Sequence, residues 1–169
     1  MTELQQAIII PIKNKREINK LRKKFDTNYK KFKAHLTLIY RFDKLGSKTL
    51  YRHIRESIKN TKSFEIVFRG YSKSTKEFYL YFDIRKNKSR IMKLHQRLKS
   101  GPLRKVNNPR MTRYVPHISL GFFKTKRQIE GVIGKLPKNL EIKERVDKVQ
   151  LITIDKNRNI KQIKNFKLK

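Results

Sequence analysis

Hydrophobic and polar residues follow each other along this chain in a way that predicts a mixed α+β domain. Strands are expected where apolar residues form short runs or alternate with polar ones, and helices where they recur every three or four positions. The predicted strands are residues 7–12, 35–42, 64–73, 78–86, 117–123, 142–155 and 159–169. The predicted helices are residues 13–25, 47–60 with Ser47 as N-cap, a segment that begins at Asn87 or Ser89, and 126–136.

The order of these elements predicts two similar halves. The strands at residues 35–42 and 117–123 are each followed by a helix, and the last two strands are joined by a turn near residues 156–159. Such a layout favours two α+β halves packed as lobes with a cleft between their sheets. At 169 residues the chain has the length of one domain, so we take residues 1–169 as a single bilobal unit.

The charge of the chain points to a polyanionic partner. Forty-five Lys and Arg against thirteen Asp and Glu give a formal net charge of +32, and nucleic acid is the most abundant polyanion that such a field attracts. The alternative is a general bias towards lysine in the proteome, in which case these residues only cover an ordinary protein surface. Self-repulsion at this charge favours a monomer.

Composition also excludes several classes of protein. The chain has no cysteine, which excludes disulfides, thiolate catalysis and cysteine-ligated zinc. It has no apolar run near the roughly 20 residues that span a bilayer, and the apolar segment at residues 7–12 is too short for a secretory signal. We therefore expect a cytoplasmic protein without a membrane partner.

A basic loop leads into the strand at residues 117–123. Residues 99–115 contain Pro and Gly and no acidic residue, which is typical of a loop, and residues 86–113 carry ten Lys and Arg without Asp or Glu. Two interpretations stay open for this segment: a lid that gathers phosphates, or an ordinary solvated connector.

A short motif occurs twice, once on each of two predicted strands. The first copy is His35-Leu-Thr37-Leu and the second is His117-Ile-Ser119-Leu. Side chains at positions i and i+2 of a strand share a face, so each copy places an imidazole beside a hydroxyl. The other two histidines of the chain, His53 on a predicted helix and the one at position 95, do not match the motif and are expected at helix surfaces or boundaries.

Two such pairs suit acid–base chemistry at a phosphate. In-line displacement at phosphorus requires a base on the attacking oxygen and an acid on the leaving oxygen, and imidazole titrates near neutrality. Hydroxyls of Thr37 and Ser119 can donate to the non-bridging oxygens. A zinc site is an alternative, but only Asp43 follows nearby as a third ligand; another is that both histidines are structural.

The two motifs resemble the paired His-x-Thr/Ser-hydrophobic motifs of the two-histidine (2H) phosphoesterase superfamily, which includes RNA 2′,3′-cyclic phosphodiesterases and 2′-5′ RNA ligase-like proteins. This resemblance implies two antiparallel-sheet lobes with outer helices, pseudo-twofold symmetry and a central cleft. It also implies that His35 and His117 are the acid–base pair and that Thr37 and Ser119 bind the phosphate. Ala34 stands where the family commonly has proline.

The face rule extends the expected site along both strands. Ile39, Gly121 and Phe123 would continue on the histidine side, with Gly121 leaving room for a ligand. The residues expected to bind phosphate or stack a base are Arg113, Tyr114, Phe123 and Lys124.

These observations together predict a metal-independent hydrolase without a cofactor that opens 2′,3′-cyclic phosphates at RNA ends, to a 2′-phosphate if the resemblance holds. Run in reverse, the same chemistry is 2′-5′ RNA ligation. Two alternatives remain at this point. The substrate could be a 2′-5′ oligonucleotide or a small cyclic nucleotide, or the protein could bind RNA ends without turnover.

Overall fold

A computed structural model of the protein describes residues 4–74, 78–107 and 113–169. Within these residues the strands are β1 (Gln5–Pro11), β2 (His35–Asp43), β3 (Phe64–Lys73), β4 (Tyr79–Lys86), β5 (His117–Phe122), β6 (Glu141–Val146), β7 (Lys148–Ile154) and β8 (Ile160–Lys167). The α-helices are α1 (Arg16–Phe25), α2 (Ser47–Ile58), α3 (Lys88–Leu98) and α4 (Lys126–Ile133). This composition confirms the predicted α+β class.

The strands form one antiparallel sheet of order β6-β3-β4-β5-β2-β1-β7-β8. The histidine strands β5 and β2 are the two central strands, so the sheet has two four-stranded halves that meet between the motifs. Strands β3 to β6 form one half, whereas β1, β2, β7 and β8, from the two ends of the sequence, form the other. The hairpin of β3 and β4 belongs with β5, and the closing strands β7 and β8 belong with β1 and β2.

The predicted strand at residues 142–155 is two strands in the structure. Its first part, β6, pairs with β3, whereas its second part, β7, pairs with β1. The chain therefore passes from one half of the sheet to the other at Asp147. The predicted final hairpin is confirmed, and the carboxylate of Asp155 accepts the backbone N–H groups of Asn157 and Asn159 in its turn.

Helices α1 and α3 pack crosswise beneath the central strands. Helix α1 follows β1 but contacts β5, and α3 follows β4 but contacts β2. Each helix buries a pair of aliphatic residues three positions apart, Ile18 and Leu21 on α1 and Ile91 and Leu94 on α3, which also buries Leu98. This spacing places both on one face of a helix, and the repeat reflects the similarity of the two halves.

Two predicted helix starts need correction. Helix α1 begins at Arg16 and not at residue 13, because the buried carboxylate of Glu144 accepts the backbone N–H groups of Lys13 and Asn14. Gly46, and not Ser47, is the N-cap of α2. The buried Glu144 lies on β6 and so connects one half of the sheet to the loop that precedes α1 in the other.

The predicted loop at residues 99–115 contains a 3₁₀ turn at Gly101–Leu103, and its residues 108–112 lie outside the described residues. The same holds for residues 75–77 in the break between β3 and β4. In the described part of the chain, none of the helices has both the length and the apolar character that a membrane crossing requires.

Candidate active site

The two motifs lie side by side in the middle of the sheet. Strands β2 and β5 pair with Leu36 opposite Ile118, and both of these side chains are buried in the core. One position further along, the antiparallel register places residues of the two motifs opposite each other on the other face of the sheet. Each histidine then faces the hydroxyl residue of the other motif: His35 faces Ser119, and His117 faces Thr37.

Each motif ends in a β-bulge at its last leucine. The two neighbours of Leu38 pair with consecutive residues of β1, so Leu38 itself has no partner in the ladder. Leu120 is left out between β5 and β4 in the same way. A bulge shifts the alternation of faces by one residue. The expectation that Ile39, Gly121 and Phe123 lie on the histidine face is therefore wrong, and all three turn towards the core.

Gly121 makes room for a helix and not for a ligand. A Cβ at this position would lie 2.5 Å from the Cβ of Phe25 and 2.7 Å from its carbonyl oxygen, at the end of α1. The ring of Phe123 packs against Phe25 at a centroid distance of 5.8 Å. Phe123 was expected to stack a base, but these contacts place it against the core.

Both motif histidines are held by the same hydrogen bond. The Nδ1 of His35 lies 2.8 Å from the carbonyl oxygen of Lys33, and the Nδ1 of His117 lies 2.7 Å from that of Val115. A carbonyl can only accept, so Nδ1 carries the proton in each ring. The Nε2 atoms are then the ones that gain or lose a proton, as a general base or acid requires.

The environment of His117 favours its neutral form. Desolvation by burial and, to a smaller extent, a charge on His35 lower the pKa of His117 to about 4. The carboxylate of Asp83, opposite His117 on β4, acts in the other direction, as does the bond to Val115. The charge of His35 therefore contributes to the pKa of His117, although burial is the larger cause.

His35 is also shifted towards its neutral form, with different neighbours. Burial lowers the pKa of His35, and the Arg22 guanidinium contributes in the same direction, whereas the Lys33 carbonyl and Asp26 raise it. Arg22 is 3% exposed. It forms an ion pair with Asp26 at 2.6 Å and donates to the carbonyl oxygen of Phe32 at 2.8 Å. These bonds fix the loop that leads into the first motif.

His95 and Tyr114 support the first motif from below. The Nδ1 of His95 donates to the carbonyl oxygen of Leu38 at 2.7 Å, and the Tyr114 hydroxyl donates to that of Thr37 at 2.8 Å. The two rings stack at 3.7 Å and 11°. Burial raises the pKa of Tyr114 well above 10, so the phenol stays a donor. His95 is a boundary residue as expected, but Tyr114, expected to bind substrate, contacts the backbone of the motif.

The remaining predicted site residues occupy different positions. Arg113 and Lys124 are exposed at the two ends of β5, where charged side chains can reach a ligand in solvent. His53, expected at a helix surface, is half-buried and bonds through Nε2 to the carbonyl oxygen of Leu98 at 2.9 Å. Within the described part of the chain, no group of three or more His, Asp or Glu residues could hold a metal ion.

Sequence reasoning missed two neighbours of His117. The ring of Tyr81 lies 3.9 Å from the imidazole, and Asp83 lies opposite it in the ladder and accepts the Ser72 hydroxyl at 2.7 Å. The alternation of β4 gave a signal, because residues 79, 81, 83 and 85 are polar or aromatic while Leu80, Phe82 and Ile84 between them are buried. The pairing of β4 with β5 was not visible in the pattern.

Comparison with known proteins places these features in a family. The sequence profile of the 2′-5′ RNA ligase superfamily matches residues 10–158. No match is found among curated protein sequences.

Several solved structures share the fold at low sequence identity. Escherichia coli LigT in its apo form is 14% identical, with a TM-score of 0.57 over 100% of this chain and 96% of LigT. Kluyveromyces marxianus Usb1 is 11% identical, with a TM-score of 0.58 over 97% and 98%. The protein TT0787 of Thermus thermophilus is also 11% identical, with a TM-score of 0.58 over 98% and 99%. These similarities confirm the expected 2H phosphoesterase-like fold.

Proposed function

Because the chain belongs to the 2′-5′ RNA ligase superfamily, we propose that it is a metal-independent phosphoesterase acting on RNA ends. Its reaction is the opening of a terminal 2′,3′-cyclic phosphate to a 2′-phosphate, with 2′-5′ ligation as the reverse. The observation that carries this proposal is the central pairing of β2 and β5, which opposes the histidine of each motif to the hydroxyl of the other. We further propose that the enzyme acts as a cytoplasmic monomer.

We assign different roles to the two imidazoles from the pKa of His117. Burial and, to a smaller extent, a charge on His35 lower the pKa of His117 to about 4, so we place a single proton shared by the pair on His35. His117 is then the base: its Nε2 removes a proton from water while the water oxygen bonds to phosphorus. His35 is the acid: as the bond from phosphorus to the ribose 3′ oxygen breaks, its Nε2 donates a proton to that oxygen.

Thr37 and Ser119 can stabilise the charge that builds up on the phosphate. Each is opposite one of the two histidines, so both hydroxyls lie within the same group of four side chains. A donor aimed at developing oxygen charge contributes several kcal/mol in a site of low polarity, on the order of 3. Two donors from two strands suit two non-bridging oxygens.

Charge and fold similarity support a nucleotide substrate. The net charge of +32 favours polymeric RNA over a small nucleotide. Escherichia coli LigT, which shares the fold, has been crystallised in complex with phosphate and with 3′-AMP. By analogy, we place the terminal phosphate between the two motifs.

The proposal is tested with an RNA oligonucleotide ending in a 2′,3′-cyclic phosphate, incubated with the protein in EDTA. The expected product carries a 2′-phosphate. Both His35→Ala and His117→Ala should lose activity by at least a hundredfold, the usual contribution of general acid or base catalysis.

His53→Ala serves as the matched control, because this half-buried histidine also bonds a backbone carbonyl but lies on α2, outside the site. It should retain activity once its folding has been checked by thermal unfolding. Turnover that survives both motif substitutions, or that EDTA abolishes, contradicts the mechanism. Salt-sensitive RNA binding without any change of the terminus would instead identify a binding protein.

A further inference from the structure

A row of three aromatic rings continues the site along the surface of β4 and β5. It starts at His117, whose imidazole lies 3.9 Å from the ring of Tyr81. Tyr81 and Tyr79 are nearly parallel at 6.2 Å and 6°, and Tyr79 contacts Phe122 at 5.0 Å. Phe122 is 48% exposed, so the row ends in solvent. We name Tyr81, Tyr79 and Phe122 the aromatic row.

The aromatic row results from the alternation of β4 and the bulge in β5. Residues two apart on β4 share a face, which aligns Tyr79 and Tyr81 while Leu80 is buried beneath them. On β5 the bulge at Leu120 moves Phe122 to the histidine face, where it lies opposite Tyr79. Without the bulge this position would point into the core.

The corresponding face of the other half of the sheet is closed. There Ala7 and Ile9 of β1 and Ile152 and Ile154 of β7 form a small apolar cluster, against which Phe32 packs. Phe32 comes from the loop between α1 and β2, so this half is covered by its own chain. The two halves are alike in strand arrangement but differ in the surface that they present beside the motifs.

Two exposed lysines belong to the segments that border the motifs and the aromatic row. Lys124 is exposed and lies two residues after Phe122, the last residue of β5. Lys33 is also exposed, and it lies beside the motifs because its carbonyl oxygen accepts the Nδ1 proton of His35. An aromatic floor with a basic rim is the combination by which proteins bind single-stranded nucleic acid. An apolar protein partner would gain nothing from this rim.

We propose that the aromatic row binds the bases of the nucleotides that precede the reactive end, so that the enzyme selects single-stranded RNA of about three or more nucleotides. This inference rests on the proposed function for the position of the reactive phosphate at His117. The ring spacings of 5.0 and 6.2 Å exceed the roughly 3.4 Å rise of a nucleic acid strand. They therefore suit splayed, single-stranded bases.

The first test measures binding separately from catalysis. The probe is a fluorescein-labelled uridine hexanucleotide with a 3′-hydroxyl, which the proposed reaction cannot consume, and affinity is read by fluorescence anisotropy. Phe122→Ala should weaken binding by about tenfold, the loss expected for one base stacked on one ring. The slope of log Kd against log salt should stay unchanged, because no ionic contact is removed. Phe122→Tyr should restore the affinity.

Ile163→Ala is the matched control, since Ile163 is also 48% exposed but lies on the edge strand β8. It should bind the hexanucleotide like the unmodified protein. If Phe122→Ala and Ile163→Ala bind equally well, the aromatic row is not a base-binding site and the inference is overturned.

The second test compares turnover of a hexanucleotide and of a mononucleotide, each ending in a 2′,3′-cyclic phosphate. Phe122→Ala should lower the ratio of their kcat/KM values by about tenfold. An unchanged ratio overturns the inference even when both substrates react. If neither substrate reacts but hexanucleotide binding depends on Phe122, the proposed function fails and the base-binding site stands.

Discussion

The His117→Asn variant should lose much less folding stability at acidic pH than the unmodified protein does. The imidazole has a pKa lowered to about 4 in the folded chain, mainly by burial, against about 6.5 in an unfolded chain. An Asn amide can still donate to the Val115 carbonyl, as Nδ1 of the histidine does. The substitution therefore removes the titration while it retains the hydrogen bond.

The sign follows from which state binds the proton first. As pH falls below about 6.5 the unfolded chain takes up a proton on this residue, while the folded chain does not until about pH 4. Folding stability is thus fully present above pH 6.5 and is lost progressively down to pH 4. One pKa unit corresponds to about 1.4 kcal/mol, so the free energy of unfolding should fall by about 3 kcal/mol from this residue alone.

The measurement is urea unfolding of both proteins at pH 7, 6, 5 and 4, followed by circular dichroism. The quantity compared is the difference in free energy of unfolding between the two proteins, in which the contributions of other titrating groups cancel. This difference should change by about 3 kcal/mol between pH 7 and pH 4. Ser119→Ala provides the control, because this position lies on the same strand and face and does not titrate. A difference that is flat with pH would refute the conclusion that His117 is desolvated beside a second imidazole.

Two further predictions concern the packing beneath the motifs. Gly121→Ala should destabilise the fold by about 1–3 kcal/mol, because the new Cβ would lie 2.5 Å from that of Phe25. The control is Gly131→Ala on α4, where a new Cβ has nothing within 4 Å and should stabilise the fold by about 0.5–1 kcal/mol. Similar urea midpoints for the two variants would contradict the contact between Gly121 and Phe25. Tyr114→Phe should cost about 1 kcal/mol in urea unfolding, because the Thr37 carbonyl loses its donor, and it should lower kcat for cyclic-phosphate opening. An unchanged kcat would show that this bond does not position the motif.

Local pattern was sufficient to predict most of the elements, but not that the two motif strands pair within one sheet. The spacing of Ile91 and Leu94 identified α3, and the alternation around Phe82 identified β4. Each element buries one face, so its apolar residues recur in the sequence with the period of a helix or a strand. The two copies of the motif predicted that His35 and His117 face one cleft between two lobes. The assignment of these residues to catalysis stays a prediction.

The bulges account for what the pattern could not show. Strict alternation predicted Phe123 on the histidine face, whereas the structure has Phe122 on that face and Phe123 against the core. A bulge at a leucine leaves no mark in the sequence, since Leu120 is apolar in either arrangement. The break at Asp147 was missed for a related reason, because both flanking segments are strands and only their distant partners differ.

The interleaving of the two halves has a consequence for the order in which the protein folds during synthesis. Strands β3 to β6 form the half of the sheet that contains His117. They come from one continuous segment between residues 64 and 146, so they can assemble as soon as this segment leaves the ribosome. Strands β1 and β2 are made first but depend on β7 and β8, which emerge more than 100 residues later. We expect β2, with His35, to pair last with a half of the sheet that already contains His117. Activity should therefore appear only after the hairpin of β7 and β8 has formed.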